Sequence, residues 1–162
     1  MTRALTWPIV KFMTATDTPK TKFNALLHDQ IGHEFTASQQ YIAIAAYFDD
    51  ADLRNHAMMI VRYLIDRRVS VEIPPVGAVT NGFTAPREPL ALALAQEQTV
   101  TEQVTQLART ARDEGDYIGE QFMQWFLKEQ VEEVALMDTL LTVAERAGDN
   151  YFDLEEFVAR EI

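Results

Sequence analysis

Glu34, Glu97 and Glu133 occupy positions where a helical bundle would place large apolar side chains, and Gln130 sits one turn before Glu133 on the same face. His56 lies on the inner or flanking face of a fourth apolar stripe. A carboxylate buried alone costs several kcal/mol, on the order of an entire paired interaction, unless it is protonated, paired or bound to a cation. Acids that converge from separate helices must therefore hold protons or hold metal. An oxygen-rich set with one imidazole suits iron or manganese better than copper. Taken singly, each residue has an ordinary explanation: a seam glutamate bends to the surface, and a lone histidine packs at a helix interface. Three acids on three seams are harder to explain that way.

The elements that position these residues follow from periodicity. Helix A is expected from after Pro19 to about Phe48. Leu27, Ile31, Glu34, Ser38, Tyr41, Ala45 and Phe48 recur there at spacings of three and four. The tract Asp49-Asp50-Ala51-Asp52 breaks the pattern and offers capping side chains. Helix B is expected from near Asp52 to near Arg68, with Leu53, Ala57, Ile60 and Leu64 as its stripe. Residues Val69 to Ala85 contain Pro74-Pro75, Gly77 and Gly82 and cannot be helical. At about 3.3 Å per residue this segment can span more than about 50 Å, enough for a crossover.

Helix C is expected from near Pro86, a first-turn position, to Gly115, with seam Leu90, Leu94, Glu97, Thr101, Val104, Ala108 and Ala111. Helix D runs from about Tyr117, capped by Asp116, to Ala147. Its seam is Phe122, Phe126, Gln130, Glu133, Met137, Leu140 and Ala144, and Gly148 stops it. A short fifth helix follows Asp153, which has Glu156 three residues on. Two short links and one long crossover make an all-α four-helix bundle with one long return connection, a group that includes the ferritin-like folds. Residues 1–19 read as a loose tail, with Met13 an alternative start, and 20–162 as one domain.

The 14 Lys+Arg against 25 Asp+Glu give a formal net charge of −11, which repels nucleic acid and anionic lipid and attracts cations. The absence of cysteine excludes disulfides and thiolate metal sites and fits a reducing cytosol, so a cytoplasmic location is expected. No run reaches the roughly 18 apolar residues of a membrane span, and the early apolar run is too broken for a signal peptide.

The segments Ile31-Gly32-His33-Glu34-Phe35-Thr36-Ala37-Ser38-Gln39-Gln40-Tyr41, Arg54-Asn55-His56-Ala57-Met58-Met59 and Gln124-Trp125-Phe126-Leu127-Lys128-Glu129-Gln130-Val131-Glu132-Glu133 resemble the metal-bearing helices of bacterial non-haem ferritins. Val71-Glu72-Ile73-Pro74 and Phe157-Val158-Ala159-Arg160-Glu161 fit the same family. The resemblance covers almost everything from Lys20 onward. It implies that Glu34 and His56 bind a first iron, and Glu97 and Glu133 a second, with Gln130 close by. Glu129 and Glu132 match acids that help a third iron site, and Tyr41 matches a tyrosine beside the centre that can donate an electron. A core aromatic with a satisfied hydroxyl is the other reading of Tyr41. The implied reaction is oxidation of Fe(II) by dioxygen or peroxide, with ferric mineral stored inside a cage of 24 subunits. Haem-binding relatives place a Met after the helix-B Glu; Arg54 stands in that slot, so no haem is expected.

The chain departs from this pattern in helix B. The family's bridging Glu lies three residues before the His, where this chain has Leu53. Asp52 is one residue out of register and shorter. Relatives carry roughly fourteen more residues between Leu53 and Arg54, close to four helical turns. Two forms are therefore open: a working ferritin whose second helix re-forms from the end of the first, and an impaired subunit. A ferritin-like scaffold or interaction module without storage activity is the reading from another class. A DNA-protecting mini-ferritin fits less well, because the acids lie within the bundle and no basic tail is present.

Overall fold

A computed structural model of the chain describes residues 21–45 and 53–148, together with 150, 152, 154, 156, 157 and 160. Four helices are resolved in order: α1 (Lys22–Ala45), α2 (Leu53–Asp66), α3 (Arg87–Asp113) and α4 (Tyr117–Ala147). The tail over 1–19, the last turn of helix A and the acidic tract 49–52 lie outside the described residues. Among the described residues there is no strand, and no helix is long and apolar enough to cross a membrane.

Capping explains the boundaries. Thr21 Oγ1 accepts from the Asn24 amide, while the Glu114 carboxylate accepts from the Lys22 and Phe23 amides across the bundle end. Those donors have no partner inside a helix, and an acid there also meets the positive end of the helix dipole. α3 begins one residue later than expected, with Pro86 at the cap, and Glu88 closes the turn by accepting from Thr84 N and Oγ1. α3 ends in a left-handed Gly115 (φ 73°), with Asp116 N bonded to Ala111 O. α2 ends in the same hydrogen-bonding pattern, with Val69 N on Leu64 O, but the left-handed position is occupied by Arg68 (φ 59°). Asp116 caps α4 through the Gly119 amide at 3.0 Å, as expected.

Tight approach fixes two contacts. A Cβ on Gly119 would lie 2.5 Å from Phe23, so only glycine lets α1 seat against the start of α4. The crossover runs along α1 rather than looping into solvent. His28, Gly32, Thr36 and Gln40 form one stripe at intervals of four and meet Ser70, Pro74, Gly77 and Thr80 in turn. Gln40 exchanges two bonds with the Thr80 backbone, at 2.8 and 2.7 Å. These partners satisfy backbone groups that a structureless segment would otherwise leave open.

The interior divides into two clusters. The first takes residues from all four helices: Phe23, Leu27 and Ile31 from α1, Ile60 and Leu64 from α2, Val104 and Leu107 among others from α3, and Met123 and Phe126 from α4. The second holds Leu90 and Ala93 of α3, Met137, Leu140 and Ala144 of α4, and Leu154. Among the described residues, no α2 side chain enters it. Leu94, Leu136, Leu141 and Val143 pack against it only partly buried. The described part of α2 is 14 residues, against 27 for α3 and 31 for α4. The fifth helix is present where described: Phe152, Leu154, Glu156, Phe157 and Arg160 are helical, and Leu154 is buried. This helix starts earlier than expected, because Phe152 is already helical and the helix does not begin after Asp153.

Candidate metal centre

Between the two clusters the interior turns polar. Gln30 and Glu34 of α1, His56 of α2, Glu97 of α3 and Gln130 of α4 are all buried. Each follows from its helical register. Glu34 continues the Leu27–Ile31 stripe, His56 lies one turn before Ile60, Glu97 precedes Val100, and Gln130 follows Phe126. The residues were placed on seams by spacing, and four separate helices deliver them to one level.

The α1 side has one saturated oxygen and one open one. Gln30 Nε2 donates to Glu34 Oε1 at 2.9 Å. Glu34 Oε2 has no hydrogen-bond partner among the described residues and faces His56 Nδ1 at 3.8 Å. Glu34 is fully buried, and that desolvation raises its carboxyl from 4.5 to about 7; repulsion from Glu97 and Glu133 adds to the rise, while the Gln30 bond opposes it. The His56 ring is held edge-on by Trp125 and Phe126, each with centroids at 5.6 Å.

The α3 side is closed by hydrogen bonds. Tyr41 donates its phenol proton to Glu97 Oε1 at 2.7 Å, and Gln130 Nε2 donates to Glu97 Oε2 at 3.0 Å. Gln130 also reaches Glu97 O and Thr101 Oγ1 at 3.2 and 3.3 Å. Both oxygens of Glu97 therefore face donors from its own chain. Glu133 is half-buried and close enough to push on Glu34. Glu129 and Glu132 are not drawn into the buried set; their carboxylates lie 3.9 and 3.5 Å from the Lys128 ammonium. Among the described residues, no three His, Cys, Asp or Glu side chains close on one point. Leu53 heads α2 and the acidic residue before it lies outside the described residues, so no bridging carboxylate is seen one turn before His56.

Spacing identified Glu34, His56, Glu97, Gln130 and Glu133, and all five sit in or beside the polar layer. It missed Gln30, a buried amide four residues before Glu34 on the same face, although that interval was legible. It also gave no role to Thr101 or Trp125, which are needed only once Gln130 and His56 have been placed.

Comparison with known proteins adds four findings. The chain matches the Ferritin-like domain family over residues 24–147. It is 62% identical to Ferritin BfrB of Mycolicibacterium smegmatis, covering 93% of this chain and 91% of that one. It is 35% identical to a bacterial non-heme ferritin of Staphylococcus aureus, over 76% and 83% of the two chains. An open-pore ferritin from Archaeoglobus fulgidus superposes with a TM-score of 0.81 at 22% identity, covering 88% of this chain and 97% of that one. The alignment to the M. smegmatis protein is 164 positions long but uses 93% of 162 residues, about 151, so about thirteen positions have no residue here.

Proposed function

Because the chain belongs to the ferritin family, we propose that it is an iron-storage subunit that takes Fe(II) as substrate into the polar layer of its bundle and oxidises it there. The observation that carries this reading is the buried Glu34 carboxylate, which has one oxygen open toward His56 with Glu97 and Glu133 nearby. In the iron-free chain a proton compensates the burial of Glu34, since its carboxyl titrates at about 7. A cation replaces that proton and is bound more tightly as pH rises. Gln30 fixes the direction in which Glu34 faces, and the aromatic edges of Trp125 and Phe126 fix the His56 ring.

Each Fe(II) gives up one electron, and dioxygen taken to peroxide accepts two electrons and two protons. Tyr41, hydrogen-bonded to Glu97, is positioned to supply a further electron from its phenol. The ferric product leaves for a mineral store inside a multi-subunit cage, which the family membership supports, in a cytoplasmic compartment. Loss of the helix-B bridge makes this oxidation slower than in a subunit with a complete second helix.

The test is anaerobic loading of the purified protein with Fe(II), followed by mixing with air and recording ferric absorbance. A saturable oxidation phase that disappears in Glu34→Gln is the expected result. Oxidation no faster than in buffer, by a metal-free small oligomer, would instead support the scaffold reading.

A further inference from the structure

Resting on that iron reading, we infer that Met58 is a modification site that consumes peroxide: its thioether takes an oxygen atom from the hydrogen peroxide that iron oxidation releases, and becomes methionine sulfoxide. The chain has no cysteine, so its thioethers are the soft sulfur groups open to peroxide. They are not equally open. Met123 and Met137 are buried in the two apolar clusters. Met59 is half-buried against the first cluster, and Met58 is 49% exposed.

Position matters as much as exposure. Met58 and Met59 line a groove of about 560 Å³, with Arg62 and Tyr63 of α2 and Phe122 of α4. The groove includes Asn55, next in the chain to His56, and Met59 lies one turn beyond His56 on the same side of α2. On α4, the Phe126 ring connects the two places: its centroid is 5.6 Å from His56 and 5.3 Å from Phe122. The groove thus lies against the α2–α4 wall of the polar layer. A small product leaving past His56 has both thioethers beside its way out.

The two sulfurs differ in what oxidation does to the fold. A sulfoxide is polar, so at Met59 it would press against the first apolar cluster. At Met58, about half of which is in water, it disturbs little packing. Met58 therefore spares Met59. The step balances without another reactant. A sulfur lone pair attacks one peroxide oxygen, the O–O bond breaks and an S–O bond forms, and the second oxygen leaves as water with both protons. Sulfur gives up the two electrons that peroxide gains, and a methionine sulfoxide reductase restores the thioether.

Peptide mass mapping after aerobic Fe(II) turnover tests the inference, with catalase present to remove peroxide from bulk solution. Met58 should gain about 16 Da, one oxygen atom, in about tenfold more chains than Met123 or Met137. Tyr117 and Phe152, both more exposed than Met58, should stay unmodified, because attack by peroxide selects sulfur where radical damage follows exposure. Metal-free chain given the same total dose of peroxide, with catalase, should stay unmodified. Met58→Leu, a volume-conserving change, should keep the rate of iron oxidation and move the sulfoxide to Met59. Iron oxidation with Met58 unmodified, sulfoxide at Met58 that catalase abolishes, or damage spread equally over Tyr117 and Phe152 would overturn the peroxide sink and leave the iron reading standing. Absence of any iron oxidation by the chain overturns both.

Discussion

The end of the bundle where α1 begins and the end where α3 begins are built from the same kinds of side chain and closed by different means. At the first, four helices meet around Phe23, Leu64, Leu107 and Phe126, and polar bridges seal the rim. Glu114 caps α1, and Arg67 joins α2 to the α4 cap through two bonds to Asp116, at 3.1 and 2.9 Å. Tyr63 stacks flat on Phe122 with centroids at 4.1 Å. At the other end, among the described residues, α3, α4 and the last helix supply the fully buried apolar residues, and Leu94, Leu136 and Val143 keep part of their surface in water. The polar layer lies at the step between them. The described part of α2 thus packs on the clamped side of the site.

The largest expected effect comes from making the same cut at both ends. Leu64→Ala should destabilise the protein by about 4 kcal/mol, because four tightly packed helices cannot collapse onto the cavity. Leu140→Ala should cost about 2 kcal/mol, near the bottom of the range, because its partly exposed neighbours can move in. Chemical denaturation of both variants checks the difference, and equal losses would erase the distinction between the two ends.

The next effect lies at the step itself and depends on pH. The Glu34 carboxyl is raised from 4.5 to about 7, so the native state binds its proton more tightly than the unfolded state. The stability this supplies is fully present below pH 4.5 and is lost as pH rises through about 7. The swing is about 3 kcal/mol in metal-free protein. Glu34→Gln removes the titration, so the variant should overtake the unaltered chain above neutral pH, as urea midpoints between pH 5 and 8 would show. Parallel curves would refute the burial of a charged Glu34.

Smaller effects sharpen the account of the clamped end. Arg67→Ala should cost about 1 kcal/mol, less at high salt, since the Arg67 side chain is over a third exposed and the pair is partly screened. Glu114→Ala should cost about 1 kcal/mol through the two α1 amides it leaves open, read as a lower melting temperature. Smallest is Arg68→Gly, expected to stabilise by about 0.5–1 kcal/mol, because Arg68 holds a left-handed φ of 59° that glycine adopts without strain. A loss on that substitution would mean that Arg68 contributes more through its contacts than its backbone costs.

The fold was legible because each seam repeats at 3.6 residues over many turns, and because Pro74-Pro75, Gly115 and Gly148 punctuate it where the helices stop. The site was legible in part for the same reason, since acids at the same level of several apolar stripes point to a shared interior position, although Glu133 stays only half-buried. The direction of each carboxylate was not. That Glu97 turns both oxygens toward Tyr41 and Gln130 while Glu34 leaves one open depends on side-chain rotamers chosen across helices, and no interval in the chain encodes them. The crossover's path along His28, Gly32, Thr36 and Gln40 was likewise hidden, because its contacts join backbone groups to a stripe that reads as ordinary helix surface.

The most direct test of the central claim is the thermal midpoint at pH 7.5 with and without saturating Co(II), measured for the unaltered chain and for Glu34→Gln. Binding to the native state alone should raise the midpoint of the unaltered chain by several degrees and leave the variant where it was. An equal rise in both, or none in either, would contradict the view that these acids are buried to hold a cation.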